Sequence, residues 1–234
     1  MIEAFITNLG RYNEGHLDGE WLKLPATTEQ IQELLKRIHV DGVQYEEIFI
    51  TDYDTDIPGL PDCLGEYESV DELNYLASLL SDMDEWELER FTAAVEYGEY
   101  TNSVSNLINL TQNLDCYNYF PGVQNEEYLG YYLIDELNLL DIPDNISPYF
   151  DYKAYGRDVA IEDGGIFTDT GFVVLGGGFT EHYNGRDDIP KDRRIFAFPE
   201  PEKSVQTALK QYQQMISERP VVSHEHSRFA NAEL

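Results

Sequence analysis

The sequence predicts an α+β protein in which a small α/β region, a mainly helical region and a mixed α/β region follow one another. Strand-like segments lie in the first and third of these regions, and helix-like segments fill the second. Of the 234 residues, 42% are hydrophobic, so the chain can build a core although its net charge is −30. The expected divisions are residues 1–60, 61–113 and 114–175, followed by a C-terminal extension at 176–234.

The first region is expected to contain three strands and a helix. Its elements are EAFITNL (3–9), GEWLKL (19–24), EQIQELLKRI (29–38) and the strand YEEIFIT (45–51). The RYNEG stretch between the first two strands favours a turn, and Thr27 or Thr28 can cap the helix. Pro58 and Pro61 then indicate a boundary.

The second region is expected to be helical. Ser69 and Glu72 form a capping-box pattern before an apolar helix at 73–80. Two more helices are predicted at 84–97 and 104–114. The apolar residues expected to anchor the helix at 84–97 are Met83, Trp86, Leu88 and Phe91.

The third region contains EEYLGYYLIDELNLL (126–140), a predicted helix with apolar residues around much of its circumference. Such a helix is either buried in its own chain or covered by a partner subunit, and both interpretations stay open. The candidate dimer contacts are Tyr131, Tyr132, Leu133, Leu137 and Leu140.

Further along, Tyr155-Gly156 favours a turn, and Arg157 is expected to pair with a nearby carboxylate. Residues 164–175 are strand-like, and residues 176–194 favour loops or a hairpin. An amphipathic helix is predicted at 199–219, before a mobile tail.

Motifs for catalysis or tight metal binding are not found in the sequence. Asp52, Asp54 and Asp56 have the 1, 3, 5 spacing of a calcium loop, but the required glycine and glutamate are replaced. Two histidines at 224 and 226 cannot close a metal site alone. We therefore expect no catalytic residue, no metal and no cofactor, and a metal-dependent enzyme using clustered carboxylates is a weaker alternative.

The sequence also bears on location. No secretion signal follows Met1 and no apolar run approaches 18 residues, so we expect a cytoplasmic protein without a membrane partner. Cys63 and Cys116 are expected to be free thiols.

Negative charge is concentrated in the middle of the chain. Residues 38–152 hold 26 acidic residues and one base, Arg90, whereas residues 161–234 hold 12 acidic and eight basic residues. A soluble surface normally mixes both signs, because like charges four residues apart on a helix cost about 0.2–0.5 kcal/mol per pair. A halophilic protein would be acidic at both ends as well. The pattern therefore predicts a basic partner.

The amount of charge fits a DNA-binding groove better than a small ligand. B-DNA carries one charge per roughly 1.7 Å of axis, so 30 charges match at most about 50 Å of duplex. Carboxylates in the acidic segment are therefore the candidate substitutes for phosphates. They are Asp52, Asp54, Asp56, Glu66, Glu68, Asp71, Glu72, Asp82, Asp84, Glu85, Glu87, Glu89, Glu126, Glu127, Asp135, Glu136, Asp141 and Asp144.

Two long stretches resemble the ArdA antirestriction family. ITNLGRYNEGHLDGEWLKLP (6–25) resembles the start of that family, and IPDNISPYFDYKAYGRD (142–158) resembles its second signature. Their order and spacing also fit, so the resemblance covers residues 2–175.

The resemblance implies an elongated, three-domain, acidic protein of a mobile genetic element that acts in a bacterial host and mimics bent B-DNA. Such a protein occupies the DNA groove formed by the specificity and methyltransferase subunits of a type I restriction-modification enzyme. It blocks cleavage and often methylation, binds no nucleic acid itself, and forms a homodimer through its third domain. An acidic decoy or chaperone for another basic nucleic-acid-binding protein, such as a nucleoid protein or a CRISPR effector, stays open as the alternative.

Overall fold

The computed structural model of the protein describes residues 1–143 and 145–200. These residues form a mixed α+β fold with seven α-helices and two small antiparallel sheets. Residues 1–199 belong to one unit. The fold class expected from the sequence is confirmed at this level, whereas the division into three domains and the elongated arrangement stay predictions.

The first sheet is built close to the predicted positions. Its elements are β1 (Ile2–Asn8), α1 (Leu9–Asn13), β2 (Gly19–Leu24), α2 (Thr28–Arg37) and β3 (Ile48–Thr55). Strand β1 lies in the centre and pairs antiparallel with both neighbours, in the order β2-β1-β3. Thr27 caps α2, and Gln30 completes a capping box that satisfies two backbone N–H groups.

Two details differ from the prediction for this region. The RYNEG stretch begins inside the short helix α1, because the Asn8 side chain accepts a hydrogen bond from the Arg11 N–H and starts a helical turn. Strand β3 continues to Thr55, beyond the predicted end at residue 51. Asp52 and Asp54 therefore lie on an edge strand, and Asp56 follows its last residue.

Three helices follow, as predicted. They are α3 (Val70–Asp82), α4 (Glu85–Tyr97) and α5 (Val104–Thr111). The predicted capping box at Ser69 is wrong, because Ser69 makes no side-chain cap bond and the Glu72 carboxylate accepts the Tyr183 hydroxyl at 2.8 Å. A capping box is instead present at α4, between Asp84 and Glu87.

The third region contains the second sheet and two crossing helices. Its elements are β4 (Tyr117–Pro121), α6 (Glu126–Tyr131), a π-helical turn (Tyr132–Glu136), α7 (Tyr152–Asp163), β5 (Ile166–Phe167) and β6 (Gly171–Leu175). The strand order is β4-β6-β5. The predicted helix at 126–140 thus ends at Glu136, after a change of helical type.

Tyr155-Gly156 lies inside α7, so the prediction of a turn is wrong. A Cβ atom on Gly156 would lie 1.9 Å from the carbonyl oxygen of Glu126, and one on Gly130 would lie 2.0 Å from that of Tyr152. These glycines allow the backbones of α6 and α7 to touch, which is a packing requirement and not a turn signal. The predicted pairing of Arg157 is confirmed, with Asp158 at 2.7 Å.

The main hydrophobic core joins residues of the first sheet, helices α2 to α5, strands β4 and β6, and the segment 183–195. It includes Ile6 of β1, Leu73 of α3, Tyr117 of β4 and Ile195. A smaller cluster lies between α6, α7 and the second sheet.

Residues 176–199 contribute side chains to the main core without forming a strand, so the predicted hairpin is wrong and the predicted loops are confirmed. The predicted helix at 199–219 and the histidines at 224 and 226 lie outside the described residues, apart from residues 199 and 200.

Three further features concern the described residues. Both cysteines are free thiols, as expected. No helix among these residues is long and apolar enough to cross a membrane. They contain no group of three or more His, Cys, Asp or Glu side chains placed to hold a metal ion.

Candidate protein-binding surface

Most of the candidate carboxylates lie on the surface, in groups set by the elements that carry them. The exposed ones are Asp52, Asp54, Asp56, Glu66, Asp82, Asp84, Glu85, Glu87, Glu127, Asp135, Glu136 and Asp141. Glu68, Glu72, Glu89 and Glu126 are half-buried, and Asp71 is buried. Asp144 lies outside the described residues.

The first group lies on β3. Asp54 is directly opposite Glu3 in the β1–β3 register, and Lys23 faces Glu3 from the other side. Like charges directly opposite each other destabilise a sheet. The Asp54–Glu3 pair therefore lowers stability while it adds negative charge to the surface. Asp56, one residue beyond β3, contacts the α-amino group of Met1.

The segment at 65–68 extends this group along the edge of β3. The Ile50 N–H donates to the Glu66 carbonyl at 2.7 Å, and the Tyr53 hydroxyl donates to the Gly65 carbonyl at 2.7 Å. Burial and the nearby Glu68 carboxylate raise the pKa of Tyr53, so its hydroxyl keeps its proton and its bond. These bonds fix Glu66 and Glu68 beside the aspartates of β3.

The second group lies at the junction of α3 and α4. Asp84 accepts the Glu87 N–H at 2.8 Å, and the Glu87 carboxylate accepts the Asp84 N–H at 3.1 Å, so these two acids have a structural role in starting α4. Asp82, in contrast, is the last residue of α3 and lies at a helix C-terminus, where the helix dipole disfavours negative charge. We call the carboxylates of Asp82, Asp84, Glu85, Glu87 and Glu89 the junction group.

The only base of the acidic segment does not neutralise this group. Arg90 is half-buried, and its Nε donates to the carbonyl of Tyr117 at 2.9 Å, with Nη2 contacting the same oxygen. In the described part of the chain, none of the five junction-group carboxylates forms an ion pair. The guanidinium therefore binds α4 to β4 and leaves the surface negative.

The apolar residues of this helix divide between core and surface. Phe91 is fully buried, and Met83 and Leu88 pack partly against the core, as expected of anchors. Trp86 remains 48% exposed and lies against Tyr119 with ring centroids 5.7 Å apart. Trp86 therefore joins α4 to β4 through its ring contact with Tyr119, although about half of its side chain is exposed within the acidic surface.

Asp71 differs from the other candidates. It is 1% exposed, and its carboxylate accepts the N–H groups of Ile195 and Phe196 at 2.7 Å each. The Arg186 Nε donates to it at 2.8 Å. A buried carboxylate that already has three donors cannot face a partner, so the prediction that Asp71 belongs to the surface is wrong.

A sequence signal for this role exists. Asp71, Asn74 and Ser78 recur at spacings of three and four within an apolar helix, and all three are buried. Such a polar stripe indicates a helix face that binds other backbone groups.

The third group lies on α6 and the turn after it. Glu126 lies 3.8 Å from the Lys153 Nζ, while Glu127, Asp135, Glu136 and Asp141 are exposed. Among the dimer candidates, Tyr131, Leu137 and Leu140 are exposed, Tyr132 is half-buried and Leu133 is buried in the smaller core cluster. Leu133 is therefore an intrachain core residue, and its prediction as a dimer contact is wrong.

Comparison with known proteins identifies the family. The family model described as antirestriction protein (ArdA) matches residues 4–174, which is more than half of the chain. The chain belongs to the ArdA antirestriction family. No curated protein sequence matches it.

The ArdA match includes every candidate carboxylate but not the groups that bind Asp71. Every candidate carboxylate lies within the matched residues 4–174. By contrast, Arg186, Ile195 and Phe196, which hold Asp71, lie beyond the match.

Proposed function

We propose that this ArdA protein is a noncatalytic DNA mimic. It occupies the DNA-binding groove of a type I restriction-modification enzyme, contacts the specificity and methyltransferase subunits, and blocks cleavage and with it methylation. The observation that carries the proposal is the junction group. None of its five carboxylates forms an ion pair with a described residue, and the nearby Arg90 donates to a backbone carbonyl instead.

The spacing of these carboxylates supports the proposal. Side chains that neighbour each other on a helix face lie about 5–6 Å apart at Cβ, which is comparable to the spacing of phosphates along a DNA strand. Lysines and arginines that bind phosphates could bind such carboxylates in the same way. Electrostatic attraction of this kind gives fast association that weakens as salt is added.

The proposed surface leaves out two of the original candidates. Asp71 is buried, and the Glu72 carboxylate already accepts the Tyr183 hydroxyl. The remaining described carboxylates form the surface, and they lie on β3 and at Asp56 after it, on the 65–68 segment, in the junction group, on α6 and at 135–141. Because the charge is spread over many sites, we expect gradual loss of binding and no single essential residue.

A competition assay tests the proposal. It uses a purified type I methyltransferase core, a labelled duplex carrying the recognition site, and the full protein titrated at low and high salt. We expect displacement of the duplex at near-stoichiometric amounts in low salt and weaker displacement in high salt.

A matched pair of variants makes the assay specific. The triple variant Asp82→Asn, Glu85→Gln, Glu89→Gln should displace duplex at least about tenfold less well, which corresponds to roughly 1.4 kcal/mol. The triple variant Glu33→Gln, Glu162→Gln, Asp163→Asn changes the net charge equally at exposed sites outside the surface and should keep nearly full activity. Equal losses in both variants would contradict a defined surface, and no displacement with two type I families would favour a decoy for another basic protein.

We also propose that the protein is a homodimer through the third region. The support is the cluster of exposed apolar side chains after α6, including Leu137 at 44% and Leu140 at 42% exposure. Leu137→Glu with Leu140→Glu should convert dimers to monomers in sedimentation equilibrium, because two buried charges would face the partner subunit. A wild-type protein that is monomeric at tens of micromolar would refute this part alone.

A further inference from the structure

Residues 177–199 follow the end of the ArdA match in the sequence, and we call them the strap. The strap begins directly after β6 and contacts the segment after α5, then α5, α3 and finally α2. Each contact uses a polar side chain of the main fold to bind the strap backbone or an ion-pair partner on it. The strap therefore continues from the third region and runs along elements of the first two regions named in the sequence.

Two asparagines bind the first half of the strap. The Asn113 side chain accepts the Thr180 N–H and donates to the Thr180 carbonyl, both at 2.9 Å. Asn109 accepts the N–H groups of His182 and Tyr183 at 2.7 and 2.8 Å, and donates to the Tyr183 carbonyl at 2.9 Å. Both asparagines are buried, so these bonds replace the pairing that a strand would give to the strap backbone.

Helix α3 binds the second half. Asp71 holds Arg186 and the N–H groups of Ile195 and Phe196. Asn74 donates to the Arg193 carbonyl at 3.0 Å and accepts the Ala26 N–H at 2.7 Å, so it joins the strap to the segment between β2 and α2.

Further contacts reach the first region. The Gln32 side chain of α2 donates to the Phe198 carbonyl at 3.0 Å. Polar bonds thus connect the strap to the first sheet region as well as to the middle helices.

The strap also buries apolar side chains, and its acidic and basic residues balance. Tyr183, Ile189 and Ile195 are at most 3% exposed and belong to the main core. The strap contains four acidic and four basic residues, so its formal charge is zero. The strap therefore stabilises the fold by apolar burial, and it adds no net positive charge.

Arg186 and Phe196 of the strap also line one cavity with Ile48, the first residue of β3, and Glu68. We infer that the strap is an intramolecular brace that holds β3, the 65–68 segment and helices α3 and α5 in one fixed arrangement. Bracing is a property of the fold and does not depend on the partner. Its consequence for binding rests on the proposed function: a rigid set of carboxylates meets spaced cations without the cost of being ordered on binding.

Hydrogen exchange on the full chain tests the brace. Asn109→Ala removes three bonds to the strap, and Asn106→Ala changes the same helix at a side chain that bonds Asn102 instead. In the Asn109 variant, amides at 178–184, in the first turn of α3 and in β3 should exchange at least about tenfold faster. The Asn106 variant should exchange like the wild type in all three segments.

A milder variant covers the case in which Asn109→Ala does not fold. Tyr183→Phe keeps the buried ring and removes only the bond to Glu72, and it should speed exchange in the same segments by a smaller factor. Faster exchange confined to 178–184, in either variant, would overturn the brace.

The competition assay tests the effect of the brace on binding separately from the brace itself. A braced wild type that displaces duplex, together with an Asn109 variant about tenfold weaker, supports the effect on binding. Unchanged displacement by a variant with faster exchange in β3 and α3 would overturn that effect. A wild type that displaces nothing would refute the proposed function and leave the exchange result on the brace unaffected.

Discussion

Helices α2 and α4 begin alike and end differently. Each starts with a capping box, formed by Thr27 and Gln30 in α2 and by Asp84 and Glu87 in α4. Helix α2 ends with Lys36 and Arg37, whereas the last turn of α4 contains no base and includes Glu96. Cations at a helix C-terminus contribute about 0.3–1 kcal/mol each, so α4 lacks a stabilisation that α2 has.

Charge pairing shows the same difference between the two regions. In the first region, Arg37 forms a two-bond pair with Glu20 at 2.8 Å, and Arg11 pairs with Asp18 at 2.7 Å. The junction group on α3 and α4 has no such partner among the described residues. The chain pairs its charges and places cations at the helix C-terminus in the first region but does neither at α4, which supports selection for surface charge in the second region.

The two ends of α3 allow this comparison to be broken at a single residue. Asp71 begins the helix as a buried carboxylate with three donors, and Asp82 ends it as an exposed one. Asp71→Ala should lower the free energy of unfolding by about 3–5 kcal/mol, because it leaves two backbone N–H groups and a guanidinium without their acceptor. Urea denaturation followed by circular dichroism measures the change.

Asp82→Ala is the matched control on the same helix. It should change the free energy of unfolding by less than about 0.5 kcal/mol, because it removes an exposed charge from an unfavourable end of the helix dipole. Similar small changes in both variants would mean that Asp71 does not hold the strap. A large loss for Asp82→Ala would mean that its carboxylate has a structural role.

Local rules were sufficient where an element depends on its own sequence. Strands β1 and β2 follow from alternation, and α2 and α4 follow from apolar spacing and their caps. The extra length of β3 was missed because its aspartates disfavour a strand, yet pairing with β1 continues through Asp54 and Thr55.

Long-range contacts explain the other differences. Gly156 resembles a turn residue until α6 is placed against it, and Asp71 resembles its acidic neighbours until residues 186–196 return to it. The concentration of charge was evident from composition, but the division of the carboxylates into bonded and free ones required tertiary contacts. Only the polar stripe of α3 offered an earlier signal.

The last turn of α4 offers the smallest and sharpest test. Burial and then the nearby Asp169 carboxylate raise the pKa of Glu96 above its ordinary value of 4.5. Ionisation is therefore harder in the folded protein than in the unfolded chain, and it lowers stability as the pH rises through 4.5 and past the raised pKa. Glu96→Gln removes this effect without altering the length of the side chain.

The stability difference between Glu96→Gln and the wild type should therefore depend on pH in one direction. Below the ordinary pKa of glutamate both proteins carry an uncharged group there, so their melting temperatures should differ little. As the pH rises towards neutrality the variant should become the more stable, by less than about 0.5 kcal/mol, since solvent screens a half-exposed carboxylate. A difference that stays constant between pH 4 and 7, or that favours the wild type at pH 7, would mean that α4 tolerates its acidic end without cost. The contrast with α2 would then give no support for selected surface charge. That argument would depend on the junction group only.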